Sequence, residues 1–132
     1  MPVAEERFRW GPKLLNEITR KVEEAEDKIE SISRRAFEAY DSIWAKARES
    51  AESDLDGLKR DLSDLEGILG HELPLAKKYL EETYKHVREG KWDYAKGSLV
   101  KVMTHLPSDI KAEGSKKVIE KLQWFTTGVI VT

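Results

Sequence analysis

Cysteine is missing from the 132 residues, which removes disulfides, thiolate metal sites and cysteine nucleophiles from consideration. The amides are almost missing too, with Asn16 the one asparagine and Gln123 the one glutamine. Set beside abundant Lys, Arg and Glu, that scarcity matches the composition of proteins from heat-loving organisms. No run of roughly 18 apolar residues occurs, so no segment reads as a membrane span. The first ten residues carry charges where a secretory signal needs an apolar core. The expectation is therefore a soluble, cytoplasmic protein. The eight glycines are scattered and form neither a P-loop nor a dinucleotide fingerprint. No nucleophile elbow frames any serine.

What is present is charge and helical periodicity. Charged residues make up 36% of the chain and hydrophobic ones 39%, the balance of solvent-exposed helices around a modest core. The length suits one domain, 1–132. A net charge of −2 conceals an uneven distribution. Glu49, Glu52, Asp54, Asp56, Asp61, Asp64, Glu66 and Glu72 are opposed locally only by Lys59 and Arg60. Beyond Lys96 the balance reverses. Such halves read either as faces that attract each other, within the fold or across a dimer, or as a basic surface for an anionic partner.

The clearest element is the first helix. Leu15, Ile18, Val22, Ala25, Ile29, Ile32, Ala36, Ala39 and Ile43 alternate three and four residues apart, a heptad row. Gly11-Pro12 reads as a break followed by a helix start, because proline is tolerated in a first turn. These signals predict an arm over 1–11 and a long helix over 12–52, the stripe widening into a core hub at Phe37, Tyr40 and Trp44. The next row is Leu55, Leu58, Leu62, Leu65 and Leu69, out of register with the first. A turn near Glu49–Ser53, with Ser53 and Asp56 spaced as a capping box, predicts a second helix over 53–70. A continuous, slightly unwound helix is the alternative. Gly70, His71 and Pro74 mark the end of the second helix, or a kink in it, since Leu73, Ala76, Leu80 and Tyr84 carry the apolar phase onward; a hairpin over 74–106 then turns at Gly90. Pro107-Ser108-Asp109 then predicts an N-cap for a last helix over 108–125. The tail 126–132, with Val129, Ile130 and Val131, favours extended backbone. It either covers the protein's own core or adds a strand to a partner's edge.

Within the hairpin, Tyr79, Gly90, Trp92, Ala95, Leu99, Val102 and Pro107 stand at the spacings of a tetratricopeptide repeat. The segment Ala76–Asp109 resembles one copy of that family, although Glu82, Thr83 and His86 depart from its pattern. The resemblance implies a protein-binding helical scaffold, with the reservation that stacked repeats normally number three or more. The hairpin is also loosely similar to small helical nuclease and nucleotide-binding domains of the HEPN type. Their active members carry arginine five residues before histidine, whereas His71, His86 and His105 have Glu66, Glu81 and Val100 there.

Metal chemistry finds little support. The paired Glu-x-x-His motifs of di-iron bundles are missing, and the lone Glu82–His86 spacing reads as a surface contact. Glu52, Asp54, Asp56 and Gly57 fit four positions of an EF-hand loop, but Ser63 replaces its final glutamate and Lys59 an apolar residue. That stretch reads as a charged surface turn. No catalytic residue, cofactor site or metal site is assigned.

The expectation is thus an all-α antiparallel bundle of four to five helices, with one long N-terminal coiled-coil-like helix. Its function reads as non-enzymatic: a protein–protein interaction or assembly protein, with a protein partner, a second copy of itself, or both. Candidate partner-binding residues are Phe8, Trp10, Trp124, Phe125, Val129, Ile130 and Val131, the large apolar side chains of the two terminal segments. The alternative is a nucleic-acid-binding accessory protein. It would use Arg7, Arg9, Lys96, Lys101, Lys111, Lys116, Lys117 and Lys121, the first two interleaved with aromatics.

Overall fold

The computed structural model describes the backbone of residues 2–110 and the side chains of residues 23–110. The described residues form four helices: α1 (Pro2–Trp44), α2 (Arg48–Leu69), α3 (Pro74–Arg88) and α4 (Trp92–Ile110). Among the described residues there is no strand, and that part of the chain is all-α. None of these helices is long and apolar enough to cross a membrane. Broad contacts join α1 to α2 and α3 to α4, while narrower ones join α2 to α3 and α1 to α4.

The apolar rows explain this arrangement. Ala25, Ile29, Ile32, Ala36, Ala39 and Ile43 are buried on α1, opposite Ala51, Leu55, Leu58, Leu62 and Leu65 of α2. Leu73, Ala76, Leu80, Tyr84 and Val87 meet Ala95, Leu99, Val102, Met103 and Leu106 across the second pair. Each fully buried Leu or Ile contributes about 1.5–3 kcal/mol of transfer free energy. The widened stripe on α1 is only partly a hub. Phe37 and Tyr40 are half-buried against the core, whereas Trp44, the last residue of the helix, is 66% exposed.

Three boundaries differ from the sequence expectation. α1 begins at Pro2 and runs through Gly11-Pro12, so residues 2–11 are helix rather than arm. Pro2 is itself a favourable first-turn residue, and Glu5 and Glu6 follow where acids complement the helix dipole. An internal proline removes one backbone hydrogen bond, a cost of about 3 kcal/mol that a long helix can absorb.

The second difference is the α1–α2 turn, which lies at residues 45–47 rather than Glu49–Ser53. The Lys46 N–H donates to the Ile43 carbonyl at 3.0 Å and the Ala47 N–H to that of Ser42 at 2.9 Å. This is a Schellman closure, built around Lys46 at φ 56°. A side chain in the left-handed region costs roughly 1–2 kcal/mol relative to glycine. Lys46→Gly is expected to raise stability by about 1 kcal/mol, read as a higher midpoint in urea unfolding. The α3–α4 turn has the same pattern with glycine in place. There the Gly90 N–H donates to the Val87 carbonyl and the Lys91 N–H to the His86 carbonyl, with Gly90 at φ 71°.

The third difference is at Pro107, which sits inside α4 instead of opening a new helix. Asp109 does cap a helix, but not its own. Its carboxylate accepts from the backbone N–H of Ala76 at 2.8 Å and of Leu75 at 3.4 Å, in the first turn of α3. The last helix and tail expected beyond residue 110 lie outside the described residues.

Candidate functional site

The acidic α2 is answered by basic residues on both its neighbours. Asp61 is buried and accepts from Ser31 Oγ at 2.7 Å and Arg35 Nε at 2.8 Å. Lys28 Nζ bridges it at 3.7 Å to Asp64, which lies 3.2 Å away. Gly57 makes room for this clamp, since a Cβ there would lie 2.5 Å from the Arg35 guanidinium. Nearer the turn, Ser42 Oγ donates to Asp54 at 2.6 Å. The pairs Lys28–Asp64, Ser31–Asp61 and Arg35–Gly57 step evenly in opposite directions. Such antiparallel stepping brings the end of α2 at Leu69 level with residue 23 of α1.

On its other side α2 meets α3 through Arg88–Glu52 and Lys59–Glu81, the latter at the rim of a shallow groove floored by Leu62 and Leu80. The Tyr84 hydroxyl donates to Asp56 at 2.6 Å. Burial, then that carboxylate, push the Tyr84 pKa upward, so it remains a donor. At the α2–α3 turn Glu66 accepts from the Leu73 N–H at 2.8 Å and pairs with Lys77 Nζ at 2.9 Å. Burial raises the Glu66 pKa, but the hydrogen bonds from Lys77 and Leu73 and the Lys77 charge outweigh it, and the net shift is downward. A depressed folded pKa gives stability that is present above the unfolded value and lost as pH falls through the folded one. Glu66→Gln is therefore expected to flatten the loss of stability below about pH 4.5, as followed by urea unfolding across that range.

The four residues with EF-hand-like spacing are not a surface turn. They lie within α2 and their partners diverge: Glu52 pairs with Arg88, Asp54 with Ser42 and Asp56 with Tyr84, while Gly57 underlies Arg35. Among the described residues no group of three or more His, Asp or Glu has the arrangement to hold a metal ion. His86 Nδ1 is buried without a hydrogen-bond partner there, its ring tilted 5.6 Å from that of Tyr94.

Of the sequence candidates, only Lys96 and Lys101 have described side chains, and they are not brought together. Five residues along a helix turn through about 140°. Lys96 lies 4.1 Å from the centre of the Trp44 ring and 3.1 Å from Asp93, on the α1 side. Lys101 lies 5.6 Å from the Tyr79 ring, which stacks on His105 at 5.0 Å on the α3 side. Arg7, Arg9, Phe8 and Trp10 fall on the described backbone of α1 but outside the described side chains. Lys111, Lys116, Lys117, Lys121, Trp124, Phe125, Val129, Ile130 and Val131 lie outside the described residues altogether.

The exposed aromatics Trp44 and Tyr94, the latter 68% exposed, were not singled out as partner-binding from sequence. Their signal was present in principle, because each sits at a helix end where no neighbouring turn covers it. α1 is also the longest of the described helices. It has 43 residues against the 22 of α2, and residues 2–22 continue past the level where α2 stops. That extension beyond α2 is roughly 31 Å of helix. A search of models of known families, of curated proteins and of solved structures found no match to this chain.

Proposed function

We propose that this is a non-enzymatic protein–protein interaction or assembly protein that presents helical surfaces and self-associates. In this reading the four helices form an antiparallel bundle, and α1 is a coiled-coil-like spine that outruns it. The supporting observation is the length mismatch between α1 and α2.

Where both helices are present, α1 turns Lys28, Ser31, Arg35 and Ser42 toward α2. Eighteen residues are about five turns of helix, so Trp10 holds the angular position of Lys28, and Leu14 that of Ile32. These positions in that extension need the neighbour that α2 no longer supplies. The occupant is the same face of a second copy, which meets the need isologously. The hairpin's likeness to a protein-binding repeat supports the same functional class.

The test is the double variant Trp10→Glu, Leu14→Glu, followed by sedimentation velocity and circular dichroism. Helicity is expected to stay within about a tenth of the parent value while the dimer is lost, because two buried charges oppose association. A variant that associates as strongly as the parent would remove this flank of α1 from the interface. Of the eight residues the nucleic-acid reading would use, the two with described side chains, Lys96 and Lys101, are engaged by Trp44, Asp93 and Tyr79 on different sides of α4.

A further inference from the structure

We infer that the α3–α4 hairpin carries a binding site for a phosphoryl group, formed by Lys78, Tyr79, Lys101 and His105. The register of the hairpin brings these side chains together. Asp109 meets the α3 backbone at Ala76. One turn further along each helix Tyr79 and His105 stack, their ring centres 5.0 Å apart and their planes 17° from parallel. Lys101 stands one turn before His105 on the same side of α4. The two ammonium groups converge on one ring, with Lys78 Nζ 5.5 Å and Lys101 Nζ 5.6 Å from the centre of Tyr79.

Charge decides what such a cluster takes. Elsewhere on the bundle Lys28, Lys59, Lys77, Lys91 and Lys96 each form an ion pair with an acid. Lys78 and Lys101 form none among the described residues, although Glu82 follows Lys78 by one turn. The other acids nearby are turned elsewhere. Glu81 pairs with Lys59 on the α2 side, and the Asp109 carboxylate accepts from the N–H groups of Ala76 and Leu75. A tyrosine ring attracts an ammonium through its quadrupole and leaves the N–H donors open to an oxygen.

The surroundings strengthen this field. Tyr79 and His105 are half-buried, and Tyr79 packs against the core, so the site has a low-dielectric wall on one side. Lys78 and Lys101 are exposed, so a ligand reaches them without any change of fold. Two uncompensated positive charges match a phosphoryl group, which carries about −1.5 to −2 at pH 7 and presents three acceptor oxygens. A carboxylate offers a single charge and two oxygens. The Tyr79 hydroxyl supplies a neutral donor at the rim of the ring, beside the two ammonium groups.

The test is a titration of the full chain with inorganic phosphate and, separately, with phenyl phosphate. The pH is held fixed, sodium chloride balances the ionic strength, and the histidine ring protons are followed by nuclear magnetic resonance. The chain has three histidines, so His105 is read against His71 and His86. The His105 signals are expected to shift saturably while those of His71 and His86 stay in place. The double variant Lys78→Gln, Lys101→Gln removes both charges from exposed positions and keeps the fold. It is expected to weaken binding about tenfold. Tighter binding of phenyl phosphate would support a monoester whose organic group packs on the Tyr79–His105 stack; equal binding would support free phosphate. Shifts no larger than sodium chloride alone produces would overturn the proposal, as would binding that the double variant leaves intact.

Discussion

Replacing Asp61 by alanine is expected to cost about 2–3 kcal/mol, the largest effect of any single polar substitution considered. The carboxylate is buried and joins Ser31, Arg35 and Lys28 in one cluster between α1 and α2. A fully buried ion pair broken on one side would cost about 3–5 kcal/mol. Here the Arg35 side chain is 43% exposed and that of Lys28 26%, so both cations regain water and the loss is smaller. Asp61→Asn keeps an acceptor for Ser31 but not the charge, and is expected to lose about half as much. Urea unfolding of the three proteins at neutral pH orders them parent, Asn, Ala. Equal stability of parent and Asp61→Ala would mean that the cluster contributes nothing net.

Asp109→Ala is the second large effect, expected at about 2 kcal/mol, or about 7 °C in Tm for a chain of this size. The residue is buried near the end of α4 and closes the first turn of α3. The N-cap position of α3 is Leu73, which makes no side-chain cap. Without Asp109 the Ala76 N–H is left buried without its acceptor, and the hairpin loses the tie that locks its two ends. Asparagine also caps helices well, so Asp109→Asn is expected to retain more than half of the stability. Thermal melts of both variants check the order. Equal losses in Asn and Ala would point to the charge rather than the cap.

These two aspartates mark where sequence reading stopped. Periodicity showed the rows that became the core faces of α1 and α2, and Gly90 marked the hairpin turn, because both signals act within a few residues. The α1–α2 turn was misplaced because its left-handed position carries Lys46, whereas glycine would have announced it. Pro12 and Pro107 were read as boundaries by a local rule that neighbouring helical turns override. Asp109 has the correct chemistry for a cap, but its target is 33 residues away in sequence, at Ala76. Asp61 left a fainter trace. An acid among Leu58, Leu62 and Leu65 needs a cation, and Lys28 and Arg35 stand one heptad apart with Ser31 between them. That the long first helix outruns its neighbours was legible in the length of its heptad row, but where the overhang begins was not, until the α1–α2 register was known. It is that register, and not composition, that directs attention to residues 2–22.

The most direct test is the mass of the full chain in solution, by light scattering on a size-exclusion column over a hundredfold range of concentration. Self-association through residues 2–22 of α1 requires a mass near twice the 15.2 kDa of the chain at the upper end, falling as the protein is diluted. A constant 15.2 kDa throughout would contradict it, and would leave the α2-side flank of residues 2–22 without the second copy assigned to it.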